Sequence, residues 1–159
     1  WGGVMATSTL LQYLQADDGD GVALTGSPSH RRQVERFIAS AAIAEGDAVS
    51  FDTSKTADSQ KTLYVVSADT GAATSKCFIG VALETAAAGD EINVVISGLA
   101  IANVAAGNAA SAGVPLMIST GGDFINYSAG SVLQNAAISC EALAATTAGK
   151  ASVIVFKQF

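Results

Sequence analysis

The sequence predicts an all-β fold: a single β-barrel or β-sandwich built from two diverged β-units and preceded by an extended N-terminal arm. Three observations support this prediction. Short apolar runs with two-residue spacing alternate with turns that contain Gly and Asp, which is typical of strands with one buried face. Half of the residues are hydrophobic, but only 6% are aromatic. One β-rich stretch also returns in weaker form near the C-terminus.

Residues 1–29 form the predicted arm, which we interpret as a docking segment. An apolar run, Thr9–Leu14, is followed by the acidic Asp17–Gly21 and by a linker at Gly26–Ser29. Because an apolar patch on an arm needs a cover, the arm docks either on a partner or back on its own domain. The β-rich domain then spans residues 30–159.

The segment His30–Phe37 concentrates the basic residues of an acidic chain. It holds the only histidine and three of the eight basic residues, namely Arg31, Arg32 and Arg36. Such a segment could bind an acidic partner or a phosphate. A solvated strand edge is the alternative, since charges on an edge discourage unwanted strand pairing.

The first β-unit covers residues 45–99 and the second covers residues 112–157. In the first, Gly89-Asp90 closes a hairpin, because Gly tolerates a positive φ and the Asp side chain can bond nearby amides. Gly98 then interrupts the apolar run as a bulge or bend. The predicted strands of this unit are Ala48–Phe51, Leu63–Val66, Phe78–Leu83 and Ile92–Ile96, with a further extended piece at Leu99–Ile101.

The second unit repeats this pattern in weaker form. A hairpin is predicted around Thr120–Asp123, between strands at Leu116–Ile118 and Phe124–Tyr127, and further strands near Val132–Ala142 and Ala151–Phe156. Aligned by letters, Leu83 matches Leu143 and Gly89 matches Gly149. Similar composition alone would be another source of this likeness.

Charge and cysteine usage narrow the classes of partner. With a net charge of −6, the chain has no general attraction to nucleic acid or to an anionic membrane. The uncharged run Ile92–Gly122 is long enough for a membrane span, but its Gly, Asn and Pro residues favour strands and turns. No signal peptide is predicted. Cys77 and Cys140 are expected to be buried thiols rather than a disulfide.

The sequence offers little for catalysis, so we expect no enzyme activity, cofactor or metal site. A nucleophilic triad would have to use His30, which lies beside the arm. The segment Ala144–Lys150 ends in Gly-Lys like a phosphate-binding loop, but it lacks the first Gly and the final Ser or Thr. A carbohydrate-binding β-sandwich on a phage fibre or cell surface is the main alternative function.

Two segments resemble the capsid decoration, or head cement, proteins of tailed bacteriophages. They are Ile43–Thr53, which contains GDAVSFDT, and Ile79–Gly98, with the sequence IGVALETAAAGDEINVVISG. The element GVPLMISTGG at Gly113–Gly122 adds to the likeness. This resemblance implies a structural virion protein, made in the host cytoplasm, that binds the outer surface of a capsid. It further implies a homotrimer whose partner is the major capsid protein and which stabilises contacts between its subunits.

The residues predicted to contact the capsid come from the arm and from the basic segment. No family motif fixes them; they are chosen for their apolar or basic character on segments suited to docking. They are Leu10, Leu11, Tyr13, Leu14, Arg31, Arg32 and Arg36.

Overall fold

A computed structural model describes residues 32–69, 77–106, 111–127, 136–142 and 148–156. Within these ranges the regular secondary structure is almost entirely β-strand, which confirms the all-β prediction. The strands are β1 (Arg32–Ala39), β2 (Ala48–Phe51), β3 (Tyr64–Ser67), β4 (Phe78–Ala82), β5 (Glu91–Val104), β6 (Pro115–Ile118), β7 (Phe124–Asn126), β8 (Ala137–Ser139) and β9 (Gly149–Val155), with a short helix α1 (Asp58–Lys61) and a 3-10 turn at Thr120–Gly122.

The nine strands form one sheet that closes on itself twice. Its order is β1-β3-β2-β4-β5-β7-β6-β8-β9, with further pairings between β1 and β5 and between β5 and β9. The first ring therefore contains β1, β3, β2, β4 and the beginning of β5. The second ring contains the end of β5 together with β7, β6, β8 and β9. The long strand β5 is the only described element that belongs to both rings.

The same order of pairing occurs in both rings. β2 pairs antiparallel with β3 and β4, as β6 pairs with β7 and β8. β1 lies parallel to β3 and antiparallel to the beginning of β5, as the end of β5 lies relative to β7 and β9. By strand pairing, one unit begins at β1 and the other begins in the middle of β5.

Backbone hydrogen bonds give the register between the two units. The N–H of Leu83 donates to the carbonyl oxygen of Asn93 at 2.9 Å, and the N–H of Cys140 donates to that of Ser152 at 2.8 Å. These equivalent bonds match Leu83 with Cys140. Leu143, which identical letters match with Leu83, lies outside the described residues.

Gly98 marks the point where β5 changes partners. Residues Glu91–Gly98 of β5 pair with β1, whereas residues from Gly98 to Val104 pair with β9. The register shifts between Gln33 and Val34 of β1, and Gly98 has a φ of +96°. The predicted bulge or bend at this glycine is confirmed, and it allows one strand to serve both rings.

Two Gly-Asp turns share one geometry. Gly46 and Gly89 have φ values of +92° and +93°. In each turn the aspartate carboxylate accepts a hydrogen bond from the backbone N–H three residues earlier, at 2.9 Å for Asp47 and 3.0 Å for Asp90. This confirms the reason for which the sequence predicted a turn at Gly89-Asp90.

Each ring encloses apolar side chains. One buried cluster belongs to the first ring and includes Phe37, Val49, Ile79 and Ile92. The other fills the second ring and also contains the face of the first ring that packs against it. The rings of Phe78 on β4 and Phe124 on β7 meet edge to face, 6.0 Å apart, and so join the two units.

The structure also bears on the predicted hairpin, the uncharged run and the two cysteines. The hairpin before Asp123 is confirmed by antiparallel β6 and β7, and the uncharged run supplies most of β5 and all of β6. None of the helices within the described ranges is both long and apolar enough to cross a membrane. The cysteines are free thiols as expected, but burial was the wrong prediction for both, because Cys77 is half-buried and Cys140 is exposed.

Candidate interaction surface

The structure describes two of the seven residues predicted to contact a capsid. Arg32 and Arg36 lie on β1, on either side of its register shift. Four residues along a strand separate them by about 13 Å. The others, Leu10, Leu11, Tyr13, Leu14 and Arg31, fall outside the described residues, as does His30.

Arg36 is exposed and already has a partner. Its guanidinium Nη1 donates to Glu91 Oε2 at 3.0 Å, and about two thirds of each side chain is exposed to solvent (66% and 69%). An exposed ion pair of this kind contributes at most about 1 kcal/mol to stability. Arg36 can therefore exchange Glu91 for an acidic group on a partner at little cost.

Arg32 lies in a different environment, at the edge of a groove. This groove, of about 140 Å³, lies where β1 begins beside β5 and β9. Within the described part of the chain, Arg32 Nε is buried and has no hydrogen-bond partner. A buried N–H without an acceptor is costly, so the arginine is suited to bind one. The groove is lined by Arg32, Leu99, Ala100, Ile101 and Ser152.

An apolar stripe crosses the outer face of the second ring next to this groove. Leu99 on β5 lies opposite Ile154 on β9, which in turn lies opposite Ile138 on β8. Ile101 is 57% exposed and Ile154 is 43% exposed. We use the term apolar stripe for Leu99, Ile101, Ile138 and Ile154.

The stripe arises because inward and outward positions alternate along β5 and β9, and large apolar residues occupy several of the outward positions. On β5, Ala100 and Ala102 are buried, whereas Leu99 and Ile101, which alternate with them, point outward. On β9, Ala151 is likewise buried while Ile154 is exposed. None of the four residues of the stripe was predicted from the sequence to contact a partner, although the alternation of Ala with larger residues along β5 was a usable signal.

A polar junction joins the two rings on another side. Asp47 is buried, and its Oδ1 accepts a hydrogen bond from Asn103 Nδ2 at 2.9 Å. The same Asn103 amide donates to the carbonyl oxygen of Glu45 at 3.0 Å. Burial raises the pKa of Asp123, and the nearby Asp47 carboxylate raises it further.

These contacts give the junction a structural role. Both carboxylate oxygens of Asp47 accept hydrogen bonds from the protein itself. No group of three or more residues suited to binding a metal occurs in the described ranges. The junction therefore fixes the two rings relative to each other.

A second cavity, of about 300 Å³, lies beside the loop that follows β2. Burial disfavours the charged form of Asp52, but the neighbouring Ser40 and Ser54 hydroxyls, the Ser54 amide and the charge of Lys55 outweigh it and lower the pKa of Asp52 to about 2. Asp52 thus holds this loop in place as a carboxylate. The cavity is lined by Phe51, Asp52, Thr53, Lys55, Lys61 and Cys77.

The described tyrosines bear on the carbohydrate-binding alternative. The ammonium of Lys55 lies 4.6 Å from the ring centroid of Tyr64, so it covers one face of that ring. Tyr127 is 36% exposed, and Trp1 and Tyr13 fall outside the described residues. The described residues do not bring these aromatic side chains together as a sugar-binding platform.

Comparison with known proteins shows a likeness of fold but not of sequence family. No protein-family model matches the sequence, and no curated protein matches it. Among solved structures, the fold is similar to a crystal structure of the head fiber gp8.5 N base of bacteriophage phi29. The TM-score is 0.53 at 14% sequence identity, and the match covers 79% of this chain and 94% of that chain. At this identity the likeness establishes a similar fold.

Proposed function

We propose that this chain is a structural protein of a bacteriophage virion that attaches to the outer surface of the head. The observation that carries the proposal is the likeness of its fold to the phi29 head fiber base, over nearly the whole of that chain. The decoration-protein resemblance of Ile43–Thr53 and Ile79–Gly98 supports the same class of function independently.

In this role the partner is the major capsid protein, and the chain acts as a homotrimer without catalysis. Attachment to a symmetric shell repeats the same contacts many times, so weak contacts suffice for stable binding. The surface features that suit such contacts are the exposed Arg36 and the apolar stripe. The net charge of −6 is consistent with contact to protein rather than to nucleic acid.

We further propose that attachment stabilises the contacts between capsid subunits, as the decoration resemblance implies. A fibre base would attach without strengthening the shell, which makes the two roles separable. The heat needed to rupture capsids, compared with and without bound protein, distinguishes them. A higher rupture temperature supports stabilisation, and an unchanged one supports a base for another component.

Co-sedimentation with expanded capsids that lack this protein tests attachment itself. Saturable binding at a fixed ratio, by a species whose mass from light scattering is three times that of the chain, is the expected result. A protein that stays in the supernatant would refute the proposal, and a glycan array would then test the carbohydrate-binding alternative.

Arg36 offers a matched pair of variants for the contact surface. Arg36→Ala and Glu91→Ala both remove the same ion pair, but only Arg36→Ala removes the positive charge. We expect Arg36→Ala to weaken capsid binding and Glu91→Ala to leave it unchanged or stronger. Equal losses would show that the ion pair, rather than contact by Arg36, matters for binding.

A further inference from the structure

The groove at the beginning of β1 combines a buried donor with exposed apolar surface. Among the described residues, Arg32 Nε is buried without an acceptor, and the neighbouring Ile101 is more than half exposed. Apolar surface that is exposed to water is unfavourable. A buried N–H that has no acceptor is also unfavourable. A single occupant with apolar side chains and an acceptor would relieve both.

The chain itself supplies a segment with this chemistry. The apolar residues Leu10, Leu11 and Leu14 occur together, and the carboxylates of Asp17 and Asp18 follow within a few residues. Apolar residues close to a carboxylate are complementary to the groove, where the apolar stripe lies next to the arginine.

The position of the groove favours this segment over other occupants. Arg32 both begins β1 and lines the groove, so the 31 residues that precede it enter the described structure at the groove itself. The residues between Leu14 and Arg32 span up to about 55 Å when extended, which is ample for a return to the same surface. The acidic residues also complement the charge of Arg32.

We propose that Thr9–Leu14 of the same chain packs on the apolar stripe in the unbound protein and places one of its apolar side chains in this groove. A carboxylate of the acidic segment that follows accepts a hydrogen bond from Arg32 Nε. This inference selects the fold-back interpretation of the arm, and it does not depend on the proposed attachment to a capsid.

Disulfide trapping in the full-length protein tests the proposal. In a background with Cys77→Ser and Cys140→Ser, Leu11→Cys is combined with Ile101→Cys. The matched control combines Leu11→Cys with Leu63→Cys, because Leu63 is also an exposed apolar residue, at 40%, but lies at the other ring. We expect the first pair to form an intrachain disulfide at least about tenfold faster than the control, because docking raises the effective concentration of the two thiols.

Other results overturn the proposal. Equal rates for the two pairs would show that the segment does not prefer the groove. Disulfides that appear only between chains would show that a second copy covers it.

Limited proteolysis gives a second readout without engineered cysteines. Ile101→Glu in the full-length chain should raise the rate of cleavage within residues 1–29 about tenfold, the factor that corresponds to loss of one isoleucine-sized apolar contact. Leu63→Glu should leave that rate unchanged. An unchanged rate for Ile101→Glu, or equal increases for both variants, would contradict the proposal.

Discussion

Gly80 provides a direct test of how closely the strands of the first ring approach each other. It lies in β4, where a Cβ atom would stand 2.0 Å from the carbonyl oxygen of Val95 on β5 and 2.9 Å from Val94 Cγ1. Ordinary contacts begin at 3.4 Å, so the backbone of β4 or β5 would have to move by more than an ångström. Because a carbonyl group held in a ladder cannot rotate aside, we expect Gly80→Ala to lower the free energy of unfolding by at least about 3 kcal/mol.

Gly149 supplies the matched control. It also lies in a strand without a positive φ, and an added Cβ there meets nothing within 4 Å. Both substitutions restrict the unfolded chain in the same way, so that contribution cancels when the two variants are compared. We expect Gly149→Ala to change the free energy of unfolding by less than about 1 kcal/mol, in the stabilising direction.

The assay is equilibrium urea denaturation of both variants and the unmodified chain, followed by circular dichroism. A small domain has a total stability of about 5–15 kcal/mol, so the expected loss in Gly80→Ala is a large share of it. Failure of Gly80→Ala to fold while Gly149→Ala folds would be the extreme form of the same result. Stabilities that agree within about 0.5 kcal/mol would refute the close approach of β4 and β5.

Three further predictions concern the polar groups. The pKa of Asp52 is about 2 in the folded protein, against an ordinary value of 3.8. The carboxylate therefore contributes about 2 kcal/mol to the free energy of unfolding above pH 3.8, and this contribution is lost as the pH falls toward 2. In urea denaturation, Asp52→Asn should show that loss at pH 7 and should differ little from the unmodified chain at pH 2. Burial raises the pKa of Asp123, and the Asp47 carboxylate raises it further. Folding therefore favours the protonated form of Asp123, and the stability that this form contributes is lost as the pH rises through the raised pKa. At pH 7, Asp123→Asn should melt at a higher temperature than the unmodified chain, and an equal or lower melting temperature would contradict this. Asn103→Ala removes the donor that Asp47 Oδ1 and the Glu45 carbonyl oxygen share. It should lower the free energy of unfolding, measured by urea denaturation, by about 1–3 kcal/mol. An unchanged midpoint would show that the junction does not hold the rings together.

At the candidate surface, the sequence predicted the basic segment but not the environment of each arginine. The basic segment at β1 was identified from charge alone, but its two described arginines turned out to differ. Arg36 is solvated and paired with Glu91, whereas Arg32 Nε is buried at a groove. Exposure of this kind depends on which strands lie beside β1, and a sequence pattern does not contain that information.

The correspondence between the two units differs according to whether it is taken from identical letters or from hydrogen bonds. Identical letters matched Leu83 with Leu143, but hydrogen bonds match Leu83 with Cys140. The equivalence is supported by Glu84 and Glu141, whose carboxylates accept backbone N–H groups of β5 and β9 respectively. Register is set by hydrogen-bonded partners, and common residues such as Leu recur too often to mark it.

The sequence by itself determined the all-β class, the Gly-Asp turns and the break at Gly98, because each depends on local backbone preference and on the two-residue period of a strand. Only the tertiary structure decided that β5 is shared between two closed rings and that alanine faces inward while Leu99 and Ile101 face outward. Alternation shows that the two faces of a strand differ, but which face is buried depends on the strands that close the ring around it, and these are distant in sequence.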